Sequence, residues 1–132
     1  YWAIGTASKK EIEKINILNA SLLAMKRSIL KLKFKPQIVK VDGNKKPNIN
    51  KLNIKSVVRG DQKIPEISAA SILAKVSRDR LIRKMSKKFK AYLWYKNFGY
   101  GTRDHLSAIK KFGITKHHRK TFKPIHNILS PK

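Results

Sequence analysis

The run PEISAASILAKVSRD, from Pro65 to Asp79, is the stretch on which the fold assignment depends. Proline suits the first turn of a helix, and the carboxylate of Glu66 suits the positive end of the helix dipole. We therefore predict a helix that starts at Pro65 and carries Ile67 to about Ser86. Small residues on one side of this helix would let another backbone come close; they are Ser68, Ala69, Ala70, Ser71 and Ala74.

A long helix and two short strands are predicted before this central helix. Residues 8–11 fit a capping box, in which the serine hydroxyl accepts from the backbone and Glu11 reaches back. Apolar residues then recur at three- and four-residue steps, which predicts one amphipathic helix to about Lys31. A proline next excludes helix, and the apolar pattern predicts a buried strand over 37–42 and a second strand over 54–58.

The chain after the central helix is basic and aromatic. Residues 87–100 contain six aromatic side chains and no predicted helix or strand. Thr102 can cap a further helix that runs to Phe112 and is closed by Gly113. The basic tail ends near Pro124. The order helix, strand, strand, helix, helix predicts an α/β fold with too few strands for a full sheet.

The composition excludes several classes of protein. A chain of 132 residues fits one domain, and 41% hydrophobic residues suffice for a core. The chain has no cysteine, which excludes a disulfide framework, a thiol nucleophile and a cysteine-ligated metal site. Apolar runs are only a few residues long and no signal-peptide pattern opens the chain, so we expect a cytoplasmic protein without a membrane span.

The charge balance points to a polyanionic partner. Lysine and arginine number 32 against 7 acidic residues, a formal net charge of +25. Such an excess favours nucleic acid first and an anionic membrane second. A proteome-wide bias towards lysine, isoleucine and asparagine is the alternative explanation, since lysine dominates the basic residues. The acidic residues are so few that each can be considered for a chemical role.

Two of these acidic residues follow the predicted strands. Asp42 ends the first strand before Gly43, and Asp61 lies in a glycine-containing loop after the second. In open α/β sheets, ligands bind outside the carboxyl ends of the strands, where the two carboxylates can converge. Carboxylates bind hard cations such as Mg²⁺ or Mn²⁺, although two alone make a weak site. The alternative is that both are ordinary turn residues.

Other polar residues have plausible structural roles. Ser71, Lys75 and Asp79 follow each other at four-residue steps, where a Lys–Asp surface pair explains the pattern at least as well as catalysis does. Asp104 and Glu66 fit the starts of helices. The four histidines lack metal-ligand spacing and are predicted to lie on the basic surface or to contact phosphate; they are His105, His117, His118 and His126.

Tyr100 lies between two glycines, Gly99 and Gly101. Glycine on both sides removes bulk around the aromatic ring, which can then lie flat against a sugar or a base. The alternative is that the ring simply fills the inside of a turn. The sequence therefore predicts Tyr100 as a candidate contact to nucleic acid.

Six segments of the chain together resemble the ribonuclease HII family, the type 2 ribonucleases H. Their order and spacing fit across nearly the whole chain, and the SAASILAK run within the central helix is highly specific. The segments are Glu11–Leu18, Val41–Asn44, Arg59–Asp61, Pro65–Asp79, Gly99–Thr102 with His105, and His118–Phe122.

The resemblance implies a ribonuclease H-like fold, a mixed sheet flanked by helices. The family cleaves the RNA strand of RNA–DNA hybrids and nicks 5′ to a single ribonucleotide embedded in DNA, with divalent metal held by four carboxylates. Asp42 matches the third carboxylate and Asp61 the fourth, so both are expected to be catalytic ligands of Mg²⁺ or Mn²⁺ in a two-metal-ion hydrolysis. Tyr100 matches the tyrosine that stacks on the sugar at the ribo–deoxyribo junction.

Further residues are expected to help in binding the hybrid duplex. Ser71 and Lys75 are expected to position phosphate, and Arg119 lies in a matched basic segment. The basic surface would hold the duplex in a salt-dependent manner. A monomer is expected.

The chain departs from the family at its beginning. An adjacent Asp-Glu and a Gly-Arg-Gly motif, with the opening antiparallel strands that carry them, belong upstream of Tyr1 in the family. We therefore expect residues 1–132 to be the C-terminal two-thirds of a single catalytic domain, inactive alone. Glu11 and Glu13 cannot replace the missing pair, because they lie in a helix start that has its own match.

Two alternatives to a nuclease remain open on the sequence. One is a non-catalytic, basic nucleic-acid-binding protein of the small lysine-rich type, whose distinguishing feature is the charge. The other is a truncated relic of the enzyme. Binding of nucleic acid without any dependence on divalent metal would favour the first alternative.

Overall fold

The computed structural model describes residues 1–130 of the chain. The chain divides into two compact units, residues 1–75 and residues 76–132. The α/β prediction is confirmed. In chain order the elements are α1 (Lys9–Leu30), β1 (Ile38–Asp42), β2 (Asn53–Val57), α2 (Gly60–Lys63), α3 (Pro65–Ser86), a 3₁₀ turn (Lys90–Tyr92), α4 (Trp94–Asn97), α5 (Arg103–Phe112) and α6 (Lys123–Leu129).

Helix α1 begins as predicted but is broken in the middle. Ser8 caps it through a capping box with Glu11. At Asn16 the backbone leaves the helical region, with φ 64° and ψ 171°. The Oδ1 atom of Asn16 accepts a hydrogen bond of 3.1 Å from the backbone of Asn19, so the asparagine caps a second helical segment. The prediction of one uninterrupted helix is therefore wrong.

The break lets the two ends of α1 contact each other. Arg27 donates to both carboxylate oxygens of Glu11, at 2.6 and 3.0 Å, although the two residues are 16 positions apart. In a straight helix that separation would be about 24 Å. Arg27 also donates to the carbonyl oxygen of Thr6 at 2.8 Å, which holds the N-terminal segment against the helix.

The sheet of the described residues consists of β1 and β2, which pair in parallel. Val41 and Ile54 are buried within it. Asp42 pairs with Val57 in the register, so both strands end at the same edge. The strands begin and end within one residue of the predicted bounds, and this edge carries the candidate site.

Helix α3 runs over Pro65–Ser86, as the sequence predicts. In its first part, Ile67 is buried, whereas Ile72 is 59% exposed. The small residues of this helix are exposed or half-buried within residues 1–130, and no backbone of the described chain covers them. The prediction that a neighbouring backbone packs there is not met by this part of the chain.

The second unit contains a contiguous aromatic and aliphatic core. Partly buried residues such as Met85 and Phe122 pack against it. Thr102 caps α5, and Gly113 closes it, as predicted. The short helices within 87–100 and helix α6 were not predicted. The core residues are Tyr92, Trp94, Ala108, Ile109 and Ile125.

Within residues 1–130, no helix combines the length and the apolar character needed to cross a membrane.

Candidate functional site

The carboxylate of Asp42 lies at the end of β1, beside the segment that carries Asp61. Its Oδ1 accepts a hydrogen bond of 2.8 Å from the backbone N–H of Gly60. Asp61 follows directly, in the first turn of α2, and both aspartates are exposed. The structure thus brings Asp42 next to the residue that precedes Asp61. Their roles as metal ligands stay predictions.

Gly60 has no side chain, which leaves room for Ile67 to pack beside it. A Cβ added there would lie 2.7 Å from Cδ1 of Ile67 and 3.5 Å from Oδ1 of Asp42. The preceding residue, Arg59, adopts the left-handed conformation with φ 54°, which turns the chain from β2 into α2. The local backbone therefore sets the position of both carboxylates.

The two carboxylates fit a divalent cation by their donor chemistry. Oxygen ligands suit Mg²⁺ and Mn²⁺, and Mg²⁺ is usually held by one or two carboxylates together with waters and substrate phosphates. Within the described residues, no group of three or more histidine, cysteine, aspartate or glutamate side chains could hold a metal. Asp42 and Asp61 would therefore share any divalent ion with oxygen ligands from another source.

Ser71 and Lys75 lie one turn apart on α3, and both side chains are exposed. Side chains four residues apart lie on the same face of a helix, so these two can reach one partner. Asp79 forms its ion pair with Arg78, with 3.5 Å between Oδ1 and Nη1, which replaces the predicted lysine as its partner. The contact of Ser71 and Lys75 with phosphate stays a prediction.

Tyr100 presents its ring to solvent. The residue is 62% exposed, so the ring does not fill the inside of the turn. The guanidinium carbon of Arg78 lies 5.0 Å from the ring centroid, within the range of a cation–π contact. Arg78 also donates to the carbonyl oxygen of Phe98 at 3.0 Å. Gly99 has a φ of 78°, a conformation that glycine adopts without strain.

Arg119 is connected to the same turn through an aromatic ring. Its guanidinium lies 5.0 Å from the ring centroid of Phe122. The ring of Phe122 in turn lies next to Gly101, since a Cβ there would be 3.8 Å from Cε1. Arg119 and Tyr100 therefore both belong to the surroundings of this turn, and the binding role of each stays a prediction.

The prediction that the histidines lie on the surface is wrong for two of them. His105 is 3% exposed and His118 is 4% exposed, and their Nε2 atoms are 3.1 Å apart. Both rings pack against Trp94. They are buried because aromatic neighbours enclose them and hydrogen bonds satisfy their nitrogens. His117 and His126 are exposed, as predicted.

Sequence reasoning missed two residues at the Tyr100 turn. His105 shares the buried face of α5 with Ala108 and Ile109, at three- and four-residue steps, and this spacing could have indicated its burial. Arg78 gives no such signal, because it lies 22 positions before Tyr100 and only the fold brings them together.

Taken together, the fold and the site define a class of protein. Carboxylates at the carboxyl edge of a parallel sheet, in a chain with a net charge of +25, characterise an α/β protein suited to a divalent cation and a polyanion. Comparison with known proteins is more specific. The sequence model of the family Ribonuclease HII matches residues 3–125. The chain belongs to the ribonuclease HII family, a family of enzymes.

Individual relatives agree with this family. The chain is 66% identical to ribonuclease HII of Pelagibacter ubique, over 97% of this chain and 69% of the relative. It is 50% identical to ribonuclease HII of Wolbachia pipientis wMel, over 97% of this chain and 64% of the relative. The chain therefore spans about two thirds of the length of the curated relatives it matches.

A solved structure shows the same fold. The ribonuclease H2 of Pyrococcus horikoshii superimposes with a TM-score of 0.68 at 25% identity. The match covers 92% of this chain and 64% of the other. The ribonuclease H-like fold predicted from the sequence is thus confirmed.

Proposed function

We propose that the protein is a metal-dependent endoribonuclease that cleaves the RNA strand of RNA–DNA hybrids. The proposal extends to nicking 5′ to single ribonucleotides embedded in DNA. Mg²⁺ or Mn²⁺ is the proposed cofactor, and the protein is proposed to act as a monomer. Because these substrates contain DNA, the proposed compartment is the bacterial cytoplasm, where the chromosome lies.

One observation carries this proposal. Asp42 ends a strand with its carboxylate hydrogen-bonded to the backbone of Gly60, directly before Asp61, in a chain of the ribonuclease HII family. The hydrogen bond to Oδ1 of Asp42 fixes the direction of the carboxylate. Each carboxylate oxygen has two lone pairs, so Asp42 can still offer both oxygens to a cation.

The residues of this chain would act by binding and orienting. Asp42 and Asp61 would hold the cations, and two bound divalent ions would activate the attacking water and neutralise charge on the phosphate. Ser71 and Lys75 would contact a phosphate from the exposed face of α3. Tyr100 would stack its exposed ring on the sugar at the junction, and Arg119 would add positive charge near that turn.

The test is the substitution of each aspartate by asparagine in the full chain as its source produces it. Asp42→Asn keeps an oxygen that can accept from Gly60 and removes only the charge. Asp61→Asn removes the charge of the second candidate ligand in the same way. The control is Asp104→Asn, which removes one negative charge from an exposed residue that pairs with Lys96. Cleavage of a labelled RNA–DNA hybrid is measured at a fixed Mn²⁺ concentration.

Each site variant should lose at least about 100-fold in kcat, because metal ions contribute several kcal/mol to such transition states and 1.36 kcal/mol is tenfold. The kcat of the Asp104→Asn control should stay within about twofold of that of the unsubstituted protein. Metal-dependent hybrid cleavage that survives Asp42→Asn would contradict the role given to Asp42.

The same assay addresses the isolated 132-residue chain. The family resemblance implies four carboxylates, and the described residues supply two at this edge, so we propose that this chain alone does not cleave. Hybrid binding that is unchanged by a metal chelator, in a full chain without cleavage, would instead favour a basic nucleic-acid-binding protein. The net charge of +25 is the observation behind that alternative.

A further inference from the structure

Two buried residues hold the turn that carries Tyr100 against the core. Asn97 accepts from the backbone of Gly99 at 2.9 Å through its Oδ1, and His105 contacts the backbone of Tyr100 itself. We infer that His105 is a positioning residue for Tyr100, which it holds through the tyrosine's own carbonyl group. The inference rests on the proposed function, because it assumes that the ring of Tyr100 contacts the substrate. It assigns to His105 a role in substrate binding that the residue performs without touching the substrate.

The contact joins the inside of the unit to its surface. Nδ1 of His105 lies 2.8 Å from the carbonyl oxygen of Tyr100, which also accepts from the backbone of Thr102 at 2.9 Å. His105 is 3% exposed, whereas Tyr100 is 62% exposed. A buried side chain thus fixes the backbone of an exposed aromatic residue.

The direction of this hydrogen bond follows from the neighbours of His105. The indole Nε1–H of Trp94 lies 3.0 Å from Nε2 of His105, and an indole nitrogen can only donate. Nε2 of His105 must therefore accept and carries no hydrogen. The hydrogen of the ring is then on Nδ1, from which it is donated to the carbonyl oxygen of Tyr100.

A second histidine supports the same arrangement with the opposite tautomer. The backbone N–H of Thr115 donates to Nδ1 of His118 at 2.9 Å. That nitrogen must accept, so His118 carries its hydrogen on Nε2, which lies 3.1 Å from Nε2 of His105. Nε2 of His105 has one lone pair, in the plane of the ring, so the N–H groups of Trp94 and His118 share it in a three-centre hydrogen bond.

The turn needs such an attachment because of its composition. Glycines on both sides of Tyr100 leave the free backbone with many conformations, and ordering them on binding would cost affinity. Arg78 restrains the ring from outside at 5.0 Å, while His105 restrains the backbone from inside. Together they present the ring in one orientation before the substrate arrives.

The experiment compares substitutions of His105 in the full chain. His105→Asn places an amide N–H close to the position of Nδ1, whereas His105→Phe fills a similar volume without a donor. Tyr100→Ala removes the ring, and the double variant His105→Phe with Tyr100→Ala tests coupling. Ile125→Val is the control for a general change in the same core. KM and kcat are measured on a hybrid with a ribo–deoxyribo junction.

We expect Tyr100→Ala to raise KM about 10- to 100-fold, the range expected for the loss of one stacking contact. His105→Phe should raise KM about fivefold with little change in kcat. His105→Asn should have a KM close to that of the unsubstituted protein, because its amide N–H can replace the lost donor. In the Tyr100→Ala background, His105→Phe should change KM by less than about twofold. Ile125→Val should leave KM unchanged, since a purely structural effect would not act on KM alone.

Two failures are distinguishable. If Tyr100→Ala leaves KM unchanged, the substrate contact in the proposed function is wrong. If Tyr100→Ala raises KM and His105→Phe does not, the positioning role of His105 is wrong and the proposed function stands.

Imidazole ¹⁵N NMR of the unsubstituted protein tests the geometry without relying on any variant. Support requires a protonated Nδ1 on His105 and a protonated Nε2 on His118. A proton on Nε2 of His105 would overturn the inference.

Discussion

Residues 76–132 and residues 1–75 support their candidate functional side chains in different ways. In 76–132, the turn with Tyr100 is joined to a core of packed aromatic rings through His105. In 1–75, a backbone N–H, that of Gly60, fixes Asp42. The buried apolar side chains of residues 1–75 are smaller and aliphatic; they include Ala20, Val41, Ile54 and Ile67.

This difference indicates which kind of substitution each region tolerates. A carboxylate that a backbone group orients depends on the path of the chain and little on the size of nearby side chains. An aromatic ring that a buried cluster orients depends on the volume and the hydrogen bonds of that cluster. Side-chain truncation should therefore lower the stability of 76–132 most. Added bulk near the backbone should lower the stability of 1–75 most.

The largest effect is expected for Trp94→Ala. Trp94 is 4% exposed, packs against both buried histidines and donates to His105. Truncation leaves a cavity and removes one of the two donors to Nε2 of His105, at a cost of about 3–5 kcal/mol of unfolding free energy. Urea denaturation measures the loss, and native-state hydrogen exchange should locate it in 76–132. Equal loss of protection in 1–75 would contradict the comparison.

The next effect tests added bulk at Gly60. Gly60→Ala places a methyl group 2.7 Å from Cδ1 of Ile67, and we expect a net loss of about 1 kcal/mol. Ile67→Val removes that Cδ1 atom. In the Ile67→Val background, Gly60→Ala should cost less, because the shortest contact is removed and the next, with Cβ of Val57 at 3.3 Å, is milder. A double-mutant cycle by urea denaturation measures this coupling, and additive losses would show that the clash is not the cause.

A matched pair compares the two cores directly. Ile109→Val and Ile54→Val remove the same methylene group from residues that are 2% and 6% exposed. Isoleucine-to-valine changes cost about 0.5–1.5 kcal/mol. The cost of Ile109→Val should be near the upper end of this range, because the neighbours of Ile109 form a packed cluster. The cost of Ile54→Val should be near the lower end. The reverse order in urea denaturation would remove the distinction between the regions.

The smallest expected effect is on the pH dependence of stability, through Glu11 in residues 1–75. The hydrogen bonds from Arg27, followed by those from Ser8, lower the pKa of Glu11 from 4.5 to about 2. A carboxyl whose pKa is lowered by folding stabilises the fold above its unfolded value, and this contribution is lost as the pH falls from about 4.5 to about 2. The pair is partly exposed, so its contribution is small.

Glu11→Gln should remove the contribution of Glu11 to the pH dependence of the unfolding free energy. Urea denaturation at several pH values between 2 and 5 measures it. Glu66→Gln, which removes one charge from the first turn of α3, is the matched control for a change of charge alone. Equal effects of the two substitutions would show that general charge, and not the Arg27 contact, governs stability in acid.

Much of the fold follows from local signals in the sequence. The capping box at Ser8, the proline at the start of α3 and the threonine cap of α5 are each satisfied within a few residues. The break in α1 is different, because the apolar spacing continues across Asn16. The contacts that accompany the fold-back, such as that between Glu11 and Arg27, join residues far apart in the chain and are not visible along it.

The candidate site also contains both residues that the sequence predicts and residues that only the fold reveals. Asp42 and Asp61 are recognisable because they follow strands in a chain with few acids. The buried state of His105 and His118 depends on rings that pack from several short elements. Leu93 and Phe98 adopt positive φ values there, which such residues avoid by themselves, so tertiary packing imposes the local shape.

The environment of Trp94 has an optical consequence. The chain has two tryptophans, Trp2 in 1–75 and Trp94 in 76–132, and they are 69% and 4% exposed. Ultraviolet emission from a solvated indole differs from that of an indole enclosed by rings. Trp2→Phe therefore leaves an emission signal from 76–132, and Trp94→Phe leaves one from 1–75. The protein carries one fluorescent reporter in each compact unit, so the unfolding of each can be followed separately.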